Sequence, residues 1–244
     1  SAQALALGRM LLLPPDSNTV LKGELGTQKR VAWSEPAGLD PIKSACRRQG
    51  VKLNDLLVAA LTGALARFLE EHGRIDGLEL RALVPVYVRD ASAGDELENH
   101  FGLVYVSLPI AVRDRGERLR QLHQSFESIK AQPDAVVALG VLGALGVAST
   151  EIEHIGIQLF TRKASVMITN VPGPPVEIHR TGSALSEMLV WAPVSGQIGV
   201  GLSLLSYAGQ VRLGVAADAR RLPDPRVLVR FYEEELAALT STAG

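Results

Sequence analysis

Residues able to do chemistry concentrate in two stretches of this chain. The first is His72, which stands four residues before Asp76-Gly77 in the pattern H-x-x-x-D-G. An imidazole with a carboxylate nearby is ordinary equipment for a general base. His72, however, falls at the end of a long helical pattern with Gly73 placed as its C-cap, and a charged imidazole there would simply complement the helix dipole. The second stretch is Ile168-Thr169-Asn170-Val171-Pro172-Gly173-Pro174-Pro175. An apolar run, Ser165 to Thr169, leads into it, and the backbone must then stop. Val171 precedes a proline and is kept from helical geometry, Pro172 and Pro174 donate no hydrogen bond, and Gly173 is free to take positive φ. An asparagine followed by a stiff, donor-poor hook suits the wall or lip of a cleft.

Little else has catalytic form. His100, His123, His154 and His179 show no metal-ligand spacing, and the single cysteine, Cys46, excludes an internal disulfide and a cysteine-based zinc cluster. There is no Walker or dinucleotide glycine loop and no G-x-S-x-G elbow. Arg89-Asp90 follows a predicted strand, where loop residues often reach a ligand, and Asn99-His100-Phe101-Gly102 turns into the next one. By itself the chain displays no complete catalytic centre.

With 244 residues, 47% of them apolar and 21% charged, the chain is globular and long enough for a sizeable core. A formal net charge of −1 gives no reason to expect a nucleic-acid partner. Cysteine usage fits a reducing, cytoplasmic compartment. The chain opens on Ser1 without a leader pattern, which reads as a fragment or a processed product. The apolar run Ala135 to Ala148 is too short to span a bilayer, yet its Gly140, Gly143 and Gly146 leave open a close-packed helix or a lipid-facing surface.

These residues need elements to place them. Residues 1–13 read as the tail of a helix, 16–28 as a linker, and 29–34 as a short strand. Asp40-Pro41 predicts a helix start, and Asn54 is the expected cap of a buried helix running to Gly73 with Asp55 in its first turn. Leu80 to Val88 reads as a strand that Pro85 confines to an edge or bulge, whereas Leu103 to Ile110, apolar on both faces, should be central. Helices are expected near 114–131, 134–148 and 149–162. Strands follow at 165–169 and 185–191, then a hairpin of 198–206 and 210–217, and a last helix after Asp224-Pro225. In that hairpin Gly199, Gly201 and Ser203 share one face, as if a helix or a thin ligand had to approach it. The fold class is α/β, with a mixed sheet.

Five segments carry a resemblance. They are Val51-Lys52-Leu53-Asn54-Asp55, Pro85-Val86-Tyr87-Val88-Arg89, Asn99-His100-Phe101-Gly102, Thr169 to Pro174, and Ser206-Tyr207-Ala208-Gly209 followed by Gly214 to Asp218. In order and approximate spacing the chain resembles the C-terminal half of the bacterial wax ester synthase/diacylglycerol acyltransferase family. The resemblance implies a chloramphenicol-acetyltransferase-like half with a mixed β-sheet flanked by helices. It implies a two-domain O-acyltransferase of lipid metabolism that moves an acyl group from acyl-CoA to a fatty alcohol or diacylglycerol, giving wax ester or triacylglycerol. Acyl-CoA is then a substrate, and no cofactor or metal is implied. The catalytic H-H-x-x-x-D-G belongs to the N-terminal half, so residues 1–28 would be a trailing helix and linker and 29–244 the C-terminal domain. His72 fits that motif poorly, since Glu71 replaces the first histidine and a helix rather than a strand precedes it. The resemblance assigns Asn54, Arg89, Asn99, Asn170 and Gly173 to a cleft for substrate and CoA, and Asp55, Gly102, Pro172, Pro174 and Asp218 to structural parts of the motifs. The expected partners are the N-terminal half, the two substrates, and a membrane or lipid-droplet surface touched peripherally. A non-catalytic binding module is the alternative, and an enzyme acting on peptide or polyketide acceptors a third reading of the same architecture.

Overall fold

The computed structural model describes Gly8 and residues 12–87, 101–130, 150–194 and 196–241. The elements are β1 (Lys29–Trp33), β2 (Ala37–Gly38), α1 (Leu39–Gln49), α2 (Leu53–Glu70), β3 (Leu80–Tyr87) and β4 (Phe101–Leu108). They continue with α3 (Arg115–Lys130), α4 (Thr150–Thr161), β5 (Val166–Pro172), β6 (His179–Arg180), β7 (Ser183–Ala184), β8 (Val200–Tyr207), β9 (Gln210–Asp218) and α5 (Arg226–Ser241). One sheet runs β1-β9-β8-β5-β3-β4, with β2 also on β9, and β6-β7 is a separate ribbon. β3, β5 and β8 are parallel, and the remaining pairings are antiparallel. This is the mixed sheet that the sequence predicts.

Alternation along the strands decides which face meets the helices. Val200, Leu202 and Leu204 of β8 and Val166 and Ile168 of β5 join one large core with α1, α2, α3 and α5. α2 is its centre. From Asp55 to Leu69 every residue except Arg67 is buried. On the opposite face Leu83, Ala164 and Ile198 form a smaller cluster with Tyr105, whose hydroxyl donates to the Phe160 carbonyl of α4 at 3.0 Å.

Buried charges tie the layers together. Glu235 of α5, 3% exposed, accepts two bonds from Arg115 (2.8 and 3.0 Å) and one from Arg118 (2.9 Å). Burial pushes its carboxyl upward, but the Arg115 and Arg118 guanidiniums win, and the pKa is lowered. Gly63 of α2 makes room for this contact, because a Cβ there would press on Glu235 Oε2 at 2.5 Å.

Residues 14–28 carry no helix or strand, as their breakers predict, but they form a packed strap rather than a loose tether. Asp16 is buried; its Oδ2 accepts from the Arg81 N–H (3.0 Å) and the Ser165 hydroxyl (2.6 Å), while Arg81 donates to the Pro14 and Pro15 carbonyls (2.9 and 3.1 Å). Lys22 Nζ donates to the carbonyls of Thr161, Arg162 and Ala164 at 3.3, 2.8 and 2.6 Å. Desolvation lowers its pKa to about 8, partly opposed by Asp16. Asp218, with a fully buried side chain, accepts from Lys29 Nζ (2.7 Å) and the N–H groups of Gly26 (2.8 Å) and Arg220 (3.0 Å). Burial would raise its pKa; these donors outweigh it and lower it.

Several expectations are corrected. β4 is the outer strand and β3 lies inside it. β4 is apolar on both faces because both of its faces are covered, Val104 and Val106 by the main core and Leu103 and Tyr105 by the smaller cluster. Pro85 is tolerated because the pairing of β3 with β5 ends at Leu83. α1 is capped by Gly38, with Asp40 in its first turn. α2 is capped at its ends by Lys52 and Glu71 instead of Asn54 and Gly73. The stretch 185–191 is not a strand. It belongs instead to an irregular segment whose residues 190–192 run over the small face of the hairpin. A Cβ on Gly201 would meet the Ala192 carbonyl oxygen at 2.6 Å, and one on Gly214 the Val190 oxygen at 2.9 Å. Backbone, rather than a helix or a ligand, is what Gly201 and Gly214 admit, while a Cβ on Gly199 would meet the Arg221 and Leu25 side chains at 2.8 and 2.9 Å. The β8-β9 turn uses Ala208 and Gly209 at φ 46° and 77°, the primed geometry that matches strand twist. The run Ala135 to Ala148 lies outside the described residues.

Gly201→Ala should destabilise the fold by about 1–3 kcal/mol, since a carbonyl cannot swing away as a side chain would. A urea titration checks this. For Asp218 the sign follows from a folded pKa below the unfolded one of about 3.9. Its contribution is complete above that value and is lost as pH falls through the folded one. The melting temperature should therefore drop on acidification below about pH 4. Asp218→Asn should start lower at neutral pH and drop less steeply, which scanning calorimetry across pH would record.

Candidate functional site

The carboxyl ends of parallel strands are where open α/β sheets place ligands, and here the hook stands at that end of β5. Even-numbered residues of β5 face the helices, so Asn170 continues the row of Val166 and Ile168 past the core. There it meets the first turn of α2, and its Nδ2 donates to Asn54 Oδ1 at 3.1 Å. The two asparagines singled out in the sequence, 116 residues apart, are thus a bonded pair. Asn54 is not the cap of α2; as the second helical residue it projects beside the unpaired N–H groups at the positive end of a helix of 18 residues.

Behind this pair lies Asp55, 1% exposed. Its Oδ2 accepts from the Lys52 N–H at 3.1 Å and from His123 Nδ1 of α3 at 2.6 Å. Its Oδ1 is buried, with no hydrogen-bond partner among the described residues. One turn further along α3, Glu127 pairs with Lys52 Nζ at 2.7 Å. The sequence holds no local signal for His123, which lies 68 residues beyond its partner. An acidic residue in the first helical turn is explained already by the helix dipole.

The hook is stapled to the end of β8. The Gly173 N–H donates to the Ser206 carbonyl at 2.9 Å, and the Ala208 N–H to the Pro174 carbonyl at 3.0 Å. Gly173 is not among the residues at positive φ, so the expected reason for a glycine there is replaced by another. A Cβ at Gly173 would overlap the Ser206 carbonyl oxygen. Pro172 ends β5, paired with Ser206. Tyr207 steadies the chain beyond the hook, its hydroxyl accepting from the Ile178 N–H (2.9 Å) and donating to the Leu185 carbonyl (2.7 Å).

Gly102 opens β4 opposite Val86, at the end of the sheet where β3 finishes. Arg89 and Asn99 lie outside the described residues. Two candidates fall at the far end. Asp218 closes β9 beside the start of β8 and holds the strap. His72 follows the C-terminus of α2, 18 residues and so about 27 Å along the helix from Asn54. Its Nδ1 bonds the Phe68 carbonyl at 2.7 Å, which engages the imidazole with its own helix. Among the described residues no group of three or more His, Cys, Asp and Glu side chains is placed to hold a metal, and no helix is long and apolar enough to cross a membrane.

Comparison with known proteins gives the family. Residues 97–240 match the family model of the WS/DGAT C-terminal domain. The chain is 28% identical to the "Probable diacylglycerol O-acyltransferase tgs1" of Mycobacterium tuberculosis, over 91% of this chain and 49% of that protein. It is 26% identical to tgs2 of the same organism, over 100% of this chain and 54% of the relative. It spans about half the length of these curated relatives. Among solved structures, the wax ester synthase/diacylglycerol acyltransferase from Marinobacter aquaeolei VT8 superposes with a TM-score of 0.70 at 25% identity, covering 97% of this chain and 55% of that one. A condensation domain of the enacyloxin polyketide synthase shares the fold at 15% identity and a TM-score of 0.58, covering 100% of this chain and 48% of that one. The chain belongs to the WS/DGAT C-terminal domain family, the C-terminal half of wax ester synthase/diacylglycerol acyltransferase enzymes.

Proposed function

We propose that this domain forms one wall of the active-site cleft of an acyl-CoA-dependent O-acyltransferase that makes wax ester or triacylglycerol. The bonded Asn54–Asn170 pair at the carboxyl end of the parallel strands carries the reading. The catalytic base is a histidine of an H-H-x-x-x-D-G motif supplied by an N-terminal half, joined to this domain or associated with it. That histidine takes the proton of the acceptor hydroxyl as the oxygen attacks the thioester carbonyl, and CoA leaves as the thiol. The residues of this domain bind and orient. Asn54 and Asn170 present amide donors and acceptors beside the positive end of α2, a setting that favours a developing oxyanion or the polar arm of CoA. The Pro172-Gly173-Pro174 hook holds Asn170 in place, and Arg89 and Asn99 are assigned to substrate and CoA binding by the family resemblance alone. Residues 29–244 are the domain and 1–28 its connection to the other half. It works in the cytoplasm, with peripheral contact to membrane or lipid droplets.

The test is release of free thiol from palmitoyl-CoA with hexadecanol or diacylglycerol, using this chain together with its N-terminal half and each half alone. Activity is expected only from the combination. Within it, Asn170→Ala should lower kcat/KM by about tenfold to a hundredfold, Gly173→Ala should lower it by displacing the hook, and His72→Ala should leave it unchanged. Turnover by this chain alone, abolished by His72→Ala, would overturn the assignment.

A further inference from the structure

We infer that His123 is a positioning residue: it holds Asn54 against Asn170 by acting through the buried carboxylate of Asp55. Asp55 is almost completely enclosed, and one of its oxygens has no partner among the described residues. The other has two donors, the Lys52 N–H of its own helix and the imidazole of α3. A buried carboxylate held by so few bonds depends heavily on each. Asp55 is the third residue of α2 and Asn54 the second, so any rotation that carries Asp55 toward water also swings the Asn54 side chain. The Asn54–Asn170 bond spans two otherwise separate elements and is solvent-exposed, so it is not strong enough to hold the turn alone. The charged group that meets the imidazole is Asp55, and the nearest charged neighbours along the chain of α3 are Arg120 and Glu127. Glu127 is already paired with Lys52, which makes a second, exposed tie between the same two elements. α3 thereby fixes the first turn of α2 from behind while β5 meets it from the cleft side.

This rests on the cleft assignment only for its kinetic arm. In the isolated chain the readout is the side-chain amide resonance of Asn170, assigned by its disappearance in Asn170→Ala. His123→Ala should move that resonance toward the position of a free amide. His123→Asn, which returns an amide donor where Nδ1 stood, should restore it. A folded His123→Ala chain with an unmoved Asn170 amide would overturn the inference. If His123→Ala does not fold, His123→Asn against His123→Leu gives the same comparison, and an Asn170 amide identical in both would overturn it as well. In the assembled enzyme, His123→Ala should lower kcat/KM by about tenfold in the native background yet have almost no further effect on Asn54→Ala, because two residues acting through one contact are not additive. Losses that multiply would show that His123 acts elsewhere. Should the assembled enzyme have no activity, the amide arm still decides the inference.

Discussion

The whole architecture depends on one helix being buried along nearly all its length. α2 is packed between the sheet, α3 and α5, and Leu, Ala, Val and Gly line every side of it. A helix so enclosed satisfies its backbone internally except at its ends, so its polar obligations collect in the first and last turns. At the C-terminal end the His72 ring bonds back onto the helix. At the N-terminal end an acidic side chain is drawn under the surface, and an amide is left projecting toward the strand ends. The position of the candidate site thus follows from the burial of the element that carries it.

Much of this was legible in the residues. The Leu/Ala periodicity from Leu56 to Leu69 could be nothing but a buried helix. Pro172-Gly173-Pro174 had to end a strand, and Ala208-Gly209 had to turn one. What misled was chemistry with two physical readings. Apolar residues on both faces of Leu103 to Leu108 suggest a central strand, but an outer strand with a helix over its second face reads the same way. Gly201 of β8 correctly announced a close approach, while the object approaching it, the irregular segment through Ala192, has no periodicity to announce itself. Long-range polar contacts were beyond reach. Nothing near His123 in the chain distinguishes it from the other histidines, and only the packing of α3 on α2 brings it to Asp55.

Residues 16–28, read as a linker from their breakers, are also ordered. Breakers such as Gly23 and Gly26 do exclude helix and strand, but they do not exclude order. Leu21 is fully buried, and three charged side chains, Asp16, Lys22 and Asp218, convert the strap's polarity into fixed bonds with the start of β3, the end of α4 and the end of β9. Polar composition forecasts solvent exposure only when no buried partner of the opposite character waits on the folded surface.

That strap also sets how force enters the molecule. Pull exerted on Pro14 is transmitted first to the Arg81 guanidinium and the Asp16 carboxylate, both enclosed and both anchored where β3 and β5 begin. The next tie along the strap is Lys22, bonded to the carbonyls at the end of α4. The hook at the opposite end of β5 feels none of the pull except through the full length of the sheet. A pull applied ahead of Pro14 therefore meets the sheet at the end opposite the Asn54–Asn170 pair.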